Sequence, residues 1–151
     1  MGETRIAGAR VARLLLVEDN PDDAEIARRA FDRAKIGNPV TVVEDGQAAL
    51  DLLYRNYSEL DEPGIDLVLL DLQLPRLDGR AVLRAIWADK RLRHIPVIVL
   101  TGSEHEDDLI ESYKGGAVAF LRKPVDVERL LTAIGDLNGY RLYIAKESDT
   151  V

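Results

Sequence analysis

Three acids, a hydroxyl and an ammonium stand at the ends of apolar runs in this chain. Glu18 and Asp19 close LLLVED, Asp71 closes LVLLD, Thr101 closes VIVLT, and Lys123 follows AFLR. Neighbouring carboxylates repel one another, so such a grouping needs a cation, a proton or a capping duty to compensate. Oxygen ligands with no histidine or cysteine beside them favour Mg²⁺ over zinc. A hydrated Mg²⁺ held by a few carboxylates leaves room for phosphate oxygens, so the constellation points to phosphoryl chemistry. A blander reading stands next to each residue. Glu18 and Asp19 could cap the helix that follows, Thr101 could be an ordinary strand-end residue, and Lys123 a solvated charge.

The elements that must position these groups are legible in the pattern. Five short apolar runs, VARLLLV (11–17), VTVV (40–43), IDLVLL (65–70), IPVIVL (95–100) and AVAFL (117–121), have the length and Val/Ile/Leu content of strands buried on both faces. Segments of helical period separate them. The first places Ile26, Ala27, Ala30, Phe31 and Ala34 on one face, with Asn20 as its cap and Pro21 at the first helical position, and it stops near Gly37. The next carry Ala48, Ala49, Leu52 and Leu53, then Val82, Leu83, Ile86 and Trp87, then Leu109, Ile110 and Tyr113 behind a Ser103–Glu106 capping box. The last carries Val127, Leu130, Leu131, Ile134 and Leu137. Trp87 falls on the apolar stripe and is expected in the core. Strand and helix alternating five times predict an α/β domain with a parallel sheet and helices on both faces, whose ligand site lies outside the carboxyl ends of the strands.

Composition narrows the function. The chain has 151 residues, 46% of them hydrophobic, enough for one domain with extensions. Its net charge of -7 gives no electrostatic reason to approach nucleic acid or an anionic membrane. It has no cysteine, which excludes disulfides and thiol catalysis, and no apolar stretch approaches the roughly 20 residues of a membrane span. A cytoplasmic protein is expected. His94 and His105 join no nucleophile motif and read as surface residues; EHEDD (104–108) reads as the acidic first turn of a helix.

The motifs LLVEDNPDD, LLDLQLPRLDG, VLTG and RKP, in this order and spacing, resemble the receiver domain of two-component response regulators. The resemblance covers about residues 11–138 and implies a flavodoxin-like (βα)5 fold with sheet order 2-1-3-4-5. It implies that Asp71 is the phosphoacceptor, and that Glu18, Asp19, Asp71 and the backbone carbonyl of Gln73 hold Mg²⁺. Thr101 would bond a phosphoryl oxygen, Lys123 would pair with another, Phe120 would be the switch aromatic, and Lys123–Pro124 would be cis. By the same resemblance Gln73 and Ser103, two residues after Asp71 and Thr101, are expected to tune phosphorylation and dephosphorylation rates. Further motifs, KRLRHIPVIVLTGS and KPVDVERLL with the long loop YRNYSELDEPGID, are similar to the small regulators that serve bacterial phytochrome histidine kinases. The partners so implied are a sensor histidine kinase, with a bacterial phytochrome as candidate, a histidine phosphotransfer protein as a second candidate, and a second copy of the chain.

Residues 1–10 read as an N-terminal extension, 11–138 as the receiver domain and 139–151 as a C-terminal arm. In the arm Tyr140, Leu142 and Ile144 alternate with Arg141, Tyr143 and Ala145, which suits an extended segment with an apolar face. Tyr140, Leu142, Tyr143 and Ile144 are therefore expected to contact a second subunit; packing back on the same domain is the alternative. No room remains for an output domain, so a stand-alone regulator that signals by interaction, and not an enzyme acting on other molecules, is the leading expectation. Two competitors stand against it: an adaptor that keeps the fold without phosphorylation, and an aspartyl-phosphate phosphatase, which would need an acid where Gln73 stands. A flavin-binding flavodoxin is disfavoured because acids fill the loop that would meet the flavin phosphate.

Overall fold

The computed structural model describes residues 13–58, 64–102 and 119–135. The expected extension 1–10, residues 59–63 of the expected long loop, the helix expected after Gly102 with Ser103 and His105, and the expected arm with Tyr140, Leu142, Tyr143 and Ile144 lie outside the described residues. Five strands, β1 (Leu14–Val17), β2 (Val40–Val43), β3 (Leu67–Asp71), β4 (Val97–Thr101) and β5 (Ala119–Arg122), form one sheet in the order β2-β1-β3-β4-β5. Every pairing is parallel, with Leu14 opposite Val40 and Leu67, Val68 opposite Val97, and Ile98 opposite Ala119.

Alternation along the strands divides the core in two, although β1, β3 and β4 are buried throughout. Leu15, Val17, Val68, Leu70, Val97 and Val99 pack on one face against α2 (Gly46–Ser58) and α3 (Gly79–Ala88). Leu14, Leu16, Leu67, Leu69, Ile98, Leu100 and Leu121 pack on the other against α1 (Pro21–Arg33) and α4 (Val127–Gly135). Each strand residue points opposite to its neighbour, so a continuous aliphatic run supplies both layers at once.

The helices begin where short polar side chains satisfy their free amides. Asn20 accepts from the amides of Asp22 and Asp23, Asp45 from Ala48, Asp78 from Arg80, and Asp126 from Arg129. Helix α1 ends at Arg33, before the expected Gly37. Lys35 takes the left-handed conformation (φ 62°), while the amides of Lys35 and Ile36 return to the carbonyls of Asp32 and Phe31. Ile36 and Phe31 are both buried in the same cluster, so their contact fixes a helix end that glycine usually makes. Trp87 departs from expectation: it is 51% exposed. The buried face of α3 is set by Gly79, Val82, Leu83 and Ile86, and position 87 lies one residue, or about 100°, beyond Ile86, on the flank of that stripe. Ile26 and Leu131 are exposed at the flanks of their helices for the same reason. No helix among the described residues is long and apolar enough to cross a membrane.

Candidate functional site

At the carboxyl ends of the strands the chain leaves the sheet with its polar groups. Glu18 follows β1 and is 2% exposed, Asp71 ends β3 at 5%, and Thr101 ends β4 at 2%, whereas Asp19 lies in the open. Carboxylate oxygens of Glu18, Asp19 and Asp71 lie within 4.8 Å of one another. Buried carboxylates are costly unless paired, and here the partner is Lys123. Its Nζ lies 2.6 Å from Glu18 Oε1, 3.1 Å from Asp71 Oδ2 and 3.1 Å from Asp23 Oδ2. The Lys123 amide donates to the Thr101 carbonyl at 2.7 Å, and the Lys123–Pro124 bond is cis.

The capping reading of Glu18 and Asp19 gives way here, because Asn20 performs that duty for α1. Glu18 instead faces the ammonium, and its second oxygen accepts from the Asn20 amide at 3.3 Å. The Asp71 side chain is steadied by the Gln73 amide, which donates to Oδ1 at 3.2 Å. Gln73 itself is exposed.

The loop from Leu72 to Asp78 is tied down on both sides. Gly79 donates its amide to the Leu72 carbonyl at 2.9 Å, and Arg76, with φ 65°, reaches Asp45 Oδ2 at 3.3 Å. Any side chain at Gly79 would collide with the Asp71 carbonyl oxygen and the Leu72 backbone. Gly79→Ala is therefore expected to cost on the order of 2 kcal/mol in urea denaturation and to move the strand end that carries Asp71.

Asp23 was not singled out from sequence, yet it completes the set around Lys123. The signal for it was its place in the first turn of α1, three residues after the Asn20 cap, where a side chain reaches back toward the end of β1. Phe120 lies in β5 and is 37% exposed. It lines an open groove with Arg122 of the same strand and Arg129 and Thr132 of α4. His94 is exposed, as expected of a surface histidine.

Electrostatics bind the cluster together. Burial pushes the Glu18 carboxyl up to about 7; the bond from Lys123 opposes that rise, and the adjoining Asp71 carboxylate adds to it. For Lys123 burial acts downward, but the Glu18 bond, the Asp71 charge and the Asp23 bond outweigh it and hold the ammonium well above its ordinary range. The folded state thus keeps the Glu18 proton between about 4.5 and 7, where an unfolded chain has lost it. Stability must fall as pH rises through that window, since the native state binds the extra proton there. In EDTA, the Tm of the native chain relative to Glu18→Gln is expected to drop by roughly 3 to 6 °C between pH 5 and pH 8; a constant difference on calorimetric scans would contradict this.

Residues 14–135 match the response regulator receiver domain model. The chain is a response regulator receiver domain. Among curated relatives, this receiver is 41% identical over 133 residues to a protein of Methanothrix harundinacea (strain 6Ac) named as a probable methanogenesis regulatory protein, FilR2, covering 85% of this chain and 83% of that one. It is 34% identical over 129 residues to response regulator Rcp1 of Synechocystis sp., covering 85% and 88%. A crystal form of Rcp1 described as Mn(2+)-bound superposes with a TM-score of 0.66 at 35% identity, covering 82% and 90%. The bacteriophytochrome response regulator AtBRR superposes with a TM-score of 0.81 at 39% identity, covering 91% of this chain and all of that one. The receiver therefore belongs to a family that includes phytochrome-associated regulators.

Proposed function

We propose that this receiver accepts a phosphoryl group from a histidine kinase on Asp71 and signals by the change in shape and binding that follows. The observation that carries the reading is the Lys123 ammonium bonded to both Glu18 and Asp71 on the rim where the acids cluster. In the transfer, a carboxylate oxygen of Asp71 forms a bond to phosphorus while the bond to the donor breaks, and the electron pair leaves with the imidazole of phosphohistidine or with acetate. Lys123 balances the negative charge of the incoming phosphoryl oxygens, and the Gln73 amide holds the other Asp71 oxygen in place. Thr101 and Lys123 are the groups that would bond phosphoryl oxygens, and inward rotation of Phe120 would report the new state.

The donor set, three carboxylates and no nitrogen or sulfur, suits a hard divalent cation. Glu18, Asp19, Asp71 and the Gln73 carbonyl would hold Mg²⁺, which would supply neutralisation of the anionic donor and acceptor. The Mn(2+)-bound form of Rcp1 supports a divalent ion in a relative. A bacteriophytochrome kinase as the donor is supported by the likeness to AtBRR, named as a bacteriophytochrome response regulator. The cytoplasm is the compartment that fits an acidic chain without cysteine.

The test is intact-mass analysis after incubation with acetyl phosphate. One added phosphoryl group that requires Mg²⁺ and maps to the peptide containing Asp71 is expected. Absence of the adduct, with beryllofluoride also failing to bind, would hand the reading to a phosphorylation-independent adaptor.

A further inference from the structure

The ammonium of Lys123 has three protons to donate, and three carboxylates accept them: Glu18, Asp71 and Asp23. Two of these partners, Glu18 and Asp71, belong to the acid cluster within 4.8 Å. On the function proposed above, Asp71 would give an oxygen to phosphorus, and Glu18 would be among the groups that hold Mg²⁺. Asp23 stands outside that cluster. It sits in the first turn of α1, its amide bonded to the Asn20 side chain at 3.1 Å, so its backbone is fixed independently of the chemistry.

We propose that Asp23 is a positioning residue, whose carboxylate anchors the Lys123 ammonium through the phosphorylation cycle while the other two hydrogen bonds pass from Asp71 and Glu18 to the phosphoryl oxygens. This rests on the reading of Asp71 as acceptor and Lys123 as its charge partner. A lysine side chain has four rotatable bonds, and its head is strongly hydrated. When its two functional partners let go, the remaining bond to Asp23, at 3.1 Å, decides whether the head stays on the rim or turns to water. The opposite effect is also available to an acid at this distance. As a bare negative charge, Asp23 would repel the phosphodonor and slow the transfer.

Rates of adduct formation from acetyl phosphate with Mg²⁺, measured by mass on the full chain, separate the two. Asp23→Ala is expected to slow phosphorylation by roughly tenfold, as befits loss of one charge-assisted bond. Asp23→Asn keeps an oxygen acceptor in the same place without the charge, and is expected to recover the native rate to within about threefold. In a Lys123→Ala background, Asp23→Ala is expected to change nothing further, because Asp23 acts through the ammonium. A purely structural role would not follow this pattern. Asp23→Ala and Asp23→Asn both matching or exceeding the native rate would overturn the anchor, as would equal slowing by Asp23→Ala with and without Lys123. Failure of the native chain to be phosphorylated at Asp71 would overturn the site reading and the anchor together; a phosphorylated native chain with an indifferent Asp23→Ala overturns the anchor alone.

Discussion

Asp71→Asn is expected to abolish the phosphoryl adduct and to make the metal-free protein more stable. The first effect follows from the nucleophile: an amide oxygen lacks the charge of a carboxylate and forms no stable acyl phosphate. The second follows from the charge balance at the rim. One ammonium faces the carboxylates of Glu18, Asp71 and Asp23, with Asp19 close by. Asparagine lifts one negative charge from this group, so the adjoining Glu18 carboxyl is expected to fall from about 7 toward its ordinary value. At pH 8 in EDTA the Tm of Asp71→Asn should exceed the native value by roughly 2 to 5 °C. The gain should shrink when Mg²⁺ is added, because the native cluster then has its cation and the variant has one ligand fewer. A variant that still takes up a single phosphoryl group, or one less stable than native in EDTA, would refute this account.

These acids were visible in the sequence because each one breaks an aliphatic run. Strand interiors buried on both faces leave no choice of residue except apolar ones, so Glu18, Asp71 and Thr101 stand out where the strands stop. Strand order came from the resemblance, whereas the parallel pairing follows from the alternation of strands and helices. Asp23 was harder to see. It lies in a run of acids at the start of a helix, where the helix dipole is reason enough for its type, and only the three-dimensional course of β5 brings Lys123, 100 residues on, against it.

Trp87 and the end of α1 escaped sequence reading for a different reason. Periodicity tells which residues can share a face, but the width of the buried stripe depends on how close the neighbouring element comes. Beside α3 that neighbour is α2, and burial of Gly79, Val82, Leu83 and Ile86 leaves Trp87 on the flank. In α1 the contact of Ile36 with Phe31 outweighs the cost of a left-handed lysine, a trade between burial and backbone strain that local propensity cannot express.

Lys123→Ala has the opposite stability effect to Asp71→Asn and a comparable effect on function. Without the ammonium, Glu18 and Asp71 are buried with no opposite charge beside them, and an incoming phosphoryl group would lose its cationic partner and keep only neutral donors such as Thr101. Phosphorylation by acetyl phosphate is expected to slow by roughly 10²- to 10³-fold, the scale on which a preorganised charge acts in a partly buried site. Thermal stability at pH 8 should fall, and Glu18 should hold its proton to still higher pH. Lys123→Arg is not expected to rescue the rate. The native arrangement gathers three carboxylates around a single nitrogen at 2.6 to 3.1 Å, and a planar guanidinium spreads its donors over three nitrogens in a fixed fork. Its charge would be present while its bonds to Glu18, Asp71 and Asp23 could not all be made. Recovery of the native rate by Lys123→Arg would mean that net charge alone suffices, and that the convergence on one nitrogen has no part in the transfer.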